Sequence, residues 1–151
     1  MKKLIAIILS LTAMLALVGC SRSINFDFPF EATDIENIVM YYYDGVPAGA
    51  EKKLVTDKED VEYIYNLFQG LDLKQNNTEE YAGASVTSFR FALSDGTNYE
   101  IVYVGNGVKN GIIKSSTGDF EYFTSADIGW CWSQLNTELV AEPAAESELP
   151  K

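Results

Sequence analysis

Residues 86–103 read VTSFRFALSDGTNYEIVY, and they decide the fold class. Phe89, Phe91 and Leu93 alternate with smaller or polar residues, which puts them on one face of a strand. Tyr99, Ile101 and Tyr103 repeat the pattern beyond Ser94-Asp95-Gly96-Thr97. Asp-Gly tolerates the positive φ angles of a tight hairpin turn, so the stretch predicts two antiparallel strands.

Downstream, Gly105-Asn106-Gly107 and Asn110-Gly111 turn the chain again. Short apolar stretches at 112–114 and 120–123 flank Ser115-Ser116-Thr117-Gly118. The whole of 85–123 therefore predicts an antiparallel meander. Upstream, Ile35, Ile38, Val39, Met40, Tyr41, Tyr42 and Tyr43 are the β-branched and aromatic residues of a strand. Residues 44–49, DGVPAG, turn it back into a second strand over 51–55.

Between the two sheet regions lies TDKEDVEYIYNLF, residues 56–68. Thr56 and Glu59 have the spacing of a capping box, and Asp57, Glu59 and Asp60 suit the positive end of a helix dipole. Val61, Ile64, Tyr65, Phe68 and Leu71 fall on one helical face, and Gly70 is a natural stop. A second helix is predicted over 127–139, with Ile128, Trp132 and Leu135 on one face. Helices kept apart from a run of antiparallel strands mean an α+β fold. The expectation is a curved antiparallel sheet of about five or six strands, with the well-capped helix across one face and a shorter C-terminal helix.

The N-terminus has a different composition. Lys2 and Lys3 precede residues 4–18, LIAIILSLTAMLALV, an uncharged run of 15. A membrane-spanning helix needs roughly 20 such residues. A charged start and a short apolar core ending on a small residue are the marks of a secretory signal. The run closes on Leu17-Val18-Gly19-Cys20, which resembles the lipobox of bacterial lipoproteins. The resemblance implies cleavage between Gly19 and Cys20, lipidation of the Cys20 thiol, and anchoring on the extracytoplasmic face of the cell membrane. A diacyl anchor holds stably where a single chain does not. The remainder is similar to the small lipoprotein domains of unknown function of Gram-positive bacteria, on the strength of lipobox, capped helix, Asp-Gly hairpin and late strand pair. The implied segments are a signal peptide over 1–19, lipidated Cys and tether over 20–31, one α+β domain over 32–136, and an acidic disordered tail over 137–151. Within the tether, Phe26, Phe28 and Phe30 alternate as in an edge strand, and Pro29 disfavours a central one. The tail, TELVAEPAAESELPK, has the Glu, Ala and Pro content of a segment that does not fold alone.

Charge and missing residues narrow the function. The chain carries a net −11, and loss of Lys2 and Lys3 would take it to −13. So acidic a domain is a poor partner for nucleic acid. There is no His, so neither a Ser-His-Asp nor a Cys-His site can be built. Cys131 is the one thiol left beside Cys20; a lone Cys between Trp130 and Trp132 reads as a small buried hydrophobe. The sequence contains no phosphate-binding glycine loop, dinucleotide fingerprint or calcium loop. No cofactor, metal or catalytic residue is assigned.

All nine Tyr, eight Phe and both Trp lie beyond the signal segment. Tyr41, Tyr42 and Tyr43 cannot share one strand face, so some tyrosine surface stays open for partner binding unless a second layer covers it. The expected function is a membrane-anchored lipoprotein with a non-catalytic binding or accessory domain. Its partners would be the lipid bilayer, through acylated Cys20, and an envelope protein or glycan. The alternative is a small carboxylate-dependent hydrolase acting on cell-wall sugars.

Overall fold

The computed structural model describes residues 23–76, 79, 82–135 and 139–150. Gly19, Cys20 and the signal segment lie outside the described residues. The strands are β1 (Ile24–Asn25), β2 (Ile35–Asp44), β3 (Glu51–Val55), β4 (Asp72–Gln75), β5 (Ser85–Leu93), β6 (Asn98–Gly107), β7 (Asn110–Ser115), β8 (Glu121–Thr124) and β9 (Glu142–Pro143). Two α-helices, α1 (Lys58–Gln69) and α2 (Cys131–Gln134), accompany them.

The meander β5–β8 forms as expected. At its first turn, Gly96 takes φ +83° and the Asp95 carboxylate accepts the Thr97 N–H at 2.8 Å. The β2–β3 hairpin joins the meander through an antiparallel β2–β5 pair running from Ile35↔Leu93 to Asp44↔Ser85. On the other side β4 pairs with β8, and β1 with β4. The order is β1-β4-β8-β7-β6-β5-β2-β3-β9, all antiparallel. The α+β class holds, but the sheet has nine strands rather than five or six, and it is open rather than curled. The additional strands are β1, β4 and β9, of two, four and two residues. So few residues carry no readable alternation; backbone pairing to a neighbour defines them.

Register sorts the side chains onto two faces. Ile38, Met40, Phe89, Phe91, Ile101, Tyr103, Ile113 and Leu73 share one face, here the helix face. Helix α1 covers it with Val61, Ile64, Tyr65 and Phe68, all buried. Its N-cap is Asp57 rather than Thr56: the Asp57 carboxylate accepts the Glu59 and Asp60 N–H groups. Phe68 is fully buried, with ring centroids of Phe89 at 5.0 Å, Phe28 at 5.8 Å, Phe91 at 6.0 Å and Phe26 at 6.1 Å. Phe26 and Phe28 come from the segment expected to be a tether, so the core takes in chain from before residue 32.

Among the described residues the C-terminal helix is only four residues long, against the expected 127–139, of which 136–138 lie outside the described residues. Asp127 Oδ1 accepts the Trp130 N–H and Gly129 sits in the turn, so the helical path starts late. Cys131 and Leu135 still point into the core. The tail expected to be disordered is ordered over 139–150. Ala144 donates its N–H to the Ala50 carbonyl at 2.9 Å, and Leu149 is buried.

The Tyr103 ring has a slot of its own. A Cβ added at Gly111 would stand 2.2 Å from Tyr103 Cε2, and one at Gly129 or Gly105 would stand 3.3 or 3.4 Å from Cε1. We predict that Gly111→Ala destabilises the fold by about 1–3 kcal/mol in urea denaturation, as overpacking does. In a Tyr103→Leu background the same substitution should cost much less, because the ring it strikes is gone. Equal penalties in both backgrounds would contradict this account of the slot.

Candidate functional site

The three tyrosines do not form one surface. Tyr42 lies on the helix face, stacked on Trp132 with centroids 5.4 Å apart and planes 23° apart. Lys53 closes the same corner: its ammonium sits 4.6 Å from the Trp132 ring centroid and donates to the Trp132 carbonyl at 2.7 Å. Tyr41 and Tyr43 lie on the opposite face, here the tail face. Tyr43 is half-buried in a shallow hollow with Val86, Val104 and Ala84. Tyr41 is only 4% exposed, covered by Leu149 together with Ala50. Over Tyr41 the second layer is the chain's own C-terminal segment, whereas Tyr43 keeps part of its surface at the hollow.

Arg90 organises this contact. It sits in the centre of β5, on the face opposite Phe89 and Phe91. Its guanidinium lies 4.9 Å from the Tyr41 ring centroid and pairs with Glu100 at 3.0 Å. One nitrogen donates to the Tyr41 hydroxyl at 2.7 Å, another to the Glu148 carbonyl at 2.8 Å. Lys52 holds the Glu148 carboxylate at 2.8 Å. Burial raises the Tyr41 phenol, while Arg90 pulls it back down.

A second concavity, of about 480 Å³, opens at the far end of the β5–β6 hairpin. Phe30, Pro29 and Asp34 line one side; Leu93, Asp95, Asn98 and Tyr99 line the other. Phe30 and Tyr99 meet edge to face at 5.4 Å, and both are half-buried. Burial, with help from the Asp119 charge, raises the Tyr99 phenol, so it stays a neutral donor and acceptor. Both carboxylates at the rim have structural partners. Asp34 accepts the Glu31 N–H at 3.0 Å. Asp95 accepts the Thr97 hydroxyl and N–H, which hold it below the usual carboxylate range.

Other candidates resolve into structure. Burial, reinforced by the Asp60 charge, pushes the Cys131 thiol up to about 12, which is the wrong direction for a nucleophile. Among the described residues no three His, Cys, Asp or Glu side chains cluster as metal ligands, and no helix is long and apolar enough to cross a membrane. The hairpin groove was not foreseen from the sequence: Phe30 and Tyr99 are far apart along the chain, and no local motif joins them. Comparison of the chain with protein-family models, curated proteins and solved structures finds no match.

The tail contact has a defined pH window. The hydrogen bond from Lys52, the Ala145 N–H and the Lys52 and Arg90 charges hold Glu148 below its ordinary 4.5. Its contribution is therefore present above that value and is lost as pH falls through the depressed one. Lys52 is raised above 10.5, first by its hydrogen bond to Glu148, against a smaller desolvation, with the Glu148, Tyr41 and Glu142 charges adding. Its contribution is present below 10.5 and lost as pH rises through the raised value. The Leu149 methyl resonances, shifted by the Tyr41 ring, should hold steady at neutral pH and move toward random-coil positions in acid below Glu148's depressed value. Unchanged shifts through acid titration, with the fold intact, would show that this ion pair does not hold the tail.

Proposed function

We propose that the protein is a membrane-anchored extracytoplasmic lipoprotein, lipidated at Cys20, whose domain is a non-catalytic binding or accessory module. The ligand we favour is a glycan of the cell envelope, held in the hairpin groove. The observation that carries this is the groove's chemistry. Half-buried Phe30 and Tyr99 supply apolar ring surface against which the C–H face of a sugar packs. Asn98, Thr97 and the Asp34 and Asp95 carboxyl groups supply the few oriented polar groups that would fix hydroxyls around it.

The alternative, hydrolysis of wall sugars, needs one carboxyl kept protonated as an acid and a second facing it. Asp95 is drawn the other way, and Asp34 is engaged in its own turn. The groove therefore lends support to recognition rather than cleavage.

Two measurements test the two halves of the proposal. Cys20→Ala should abolish metabolic lipid labelling and release the protein from membranes; label retained by that variant would sink the anchor. Calorimetric titration with soluble wall-glycan fragments should show binding that drops at least about tenfold in Asn98→Ala and Tyr99→Leu, the loss of one or two polar or stacking contacts. Identical isotherms for wild type and variants of unchanged melting temperature would remove the groove as the site.

A further inference from the structure

The way the tail lies on the sheet has the features of a bound peptide. The tail runs extended beside β3 at Glu142 and Pro143, with Glu142 opposite Lys52 and Pro143 opposite Glu51, and then makes one 3-10 turn over Glu146–Glu148 that brings Glu148 and Leu149 onto the sheet face. The Ala144 N–H to Ala50 carbonyl bond continues the pairing. Peptides that add a strand to a sheet edge take affinity from such main-chain bonds and specificity from alternate side chains in pockets. Here the pocket residue is Leu149, buried against Tyr41 and Ala50. The charge is matched by Lys52 on Glu148, and the backbone is read by Arg90 at the Glu148 carbonyl. Arg90 is itself braced by Tyr41 and Glu100, so its geometry is set by the sheet rather than by the tail.

We infer that the surface formed by β3, Tyr41, Lys52 and Arg90 is a peptide-binding site for an acidic segment that pairs briefly with β3 and then turns to present a Glu-Leu pair, which residues 142–149 fill in cis. The occupant is defined by the contacts: a free backbone N–H opposite Ala50, a carboxylate opposite Lys52, and an aliphatic side chain beside Tyr41. The tail is then a competitor for a partner segment of the same chemistry. Tethering gives it a high effective concentration, so a free peptide binds the intact chain weakly and the uncovered surface strongly. This inference concerns the β3 edge and stands or falls separately from the hairpin groove.

The test uses a fluorescent peptide spanning residues 139–151 and a chain ended at residue 138. Fluorescence anisotropy should show the shortened chain binding the peptide at least about tenfold more tightly than the intact chain does, as expected when a tethered competitor is removed. Peptides carrying Glu148→Ala or Leu149→Ala, and a shortened chain carrying Arg90→Gln, should each lose most of that binding. A second chain guards against misfolding on truncation: full-length protein with Glu148→Lys and Leu149→Asp, which breaks both anchors and keeps the rest of the tail. It should also bind the wild-type peptide more tightly than the intact chain. The inference is overturned if neither altered chain binds the peptide, or if the altered peptides bind as well as the wild type.

Discussion

The central strands carry large side chains on both faces, and most of the architecture answers that constraint. On β2, β5 and β6 the helix face presents Ile38, Met40, Phe89, Phe91, Ile101 and Tyr103, all essentially removed from solvent. The opposite face of the same strands presents Tyr41, Val86, Val102 and Val104, each under 10% exposed. Full burial of one such side chain contributes roughly 1.5–3 kcal/mol. A single covering layer would leave half of that unrealised. Helix α1 and the Phe26–Phe28 segment cover the first face, and Leu149 and its neighbours cover part of the second.

That constraint also separates what could be read in the sequence from what could not. The β5–β6 hairpin and α1 announce themselves because each repeats its period over several turns or alternations. Even the choice of Phe68 as a core residue follows from its spacing to Val61 and Ile64. Strands β1, β4 and β9 do not, because two to four residues cannot show a period. They exist where β4, β8 or β3 offers unpaired backbone groups, which is a property of the finished sheet. The tail shows the limit most clearly. Its composition is that of a segment unable to fold alone, and it does not fold alone: it folds against Arg90, Lys52 and Tyr41, which lie far from it in the chain.

The sites follow the same division. The exclusions drawn from a chain without His are matters of composition and needed no coordinates. Tyr41, Tyr42 and Tyr43 had to divide between faces, and they do; which one stays open depended on the tail and on Trp132. The groove of Phe30, Asn98 and Tyr99 was beyond reach, because its two walls come together only when the segment before β2 docks beside the hairpin turn. Asp95 and Asp34 illustrate how a carboxylate at a cleft is judged by its partners rather than by its address.

The docking of the segment before β2 has a consequence for reach. Ile24 is already paired with Leu73, so a lipid at Cys20 would be joined to the sheet through three residues, Ser21 to Ser23, which is four backbone steps. Four steps stretch to no more than about 14 Å. Under the proposed anchoring the β1–β4 edge is held almost against the headgroups, where an acidic body within about 10 Å of anionic lipid feels repulsion that salt does not fully screen. A short leash opposed by like charge has few orientations available. The domain would stand on one edge, sweep only a thin layer above the bilayer, and sample ligands lying along the membrane rather than those suspended deeper in the envelope.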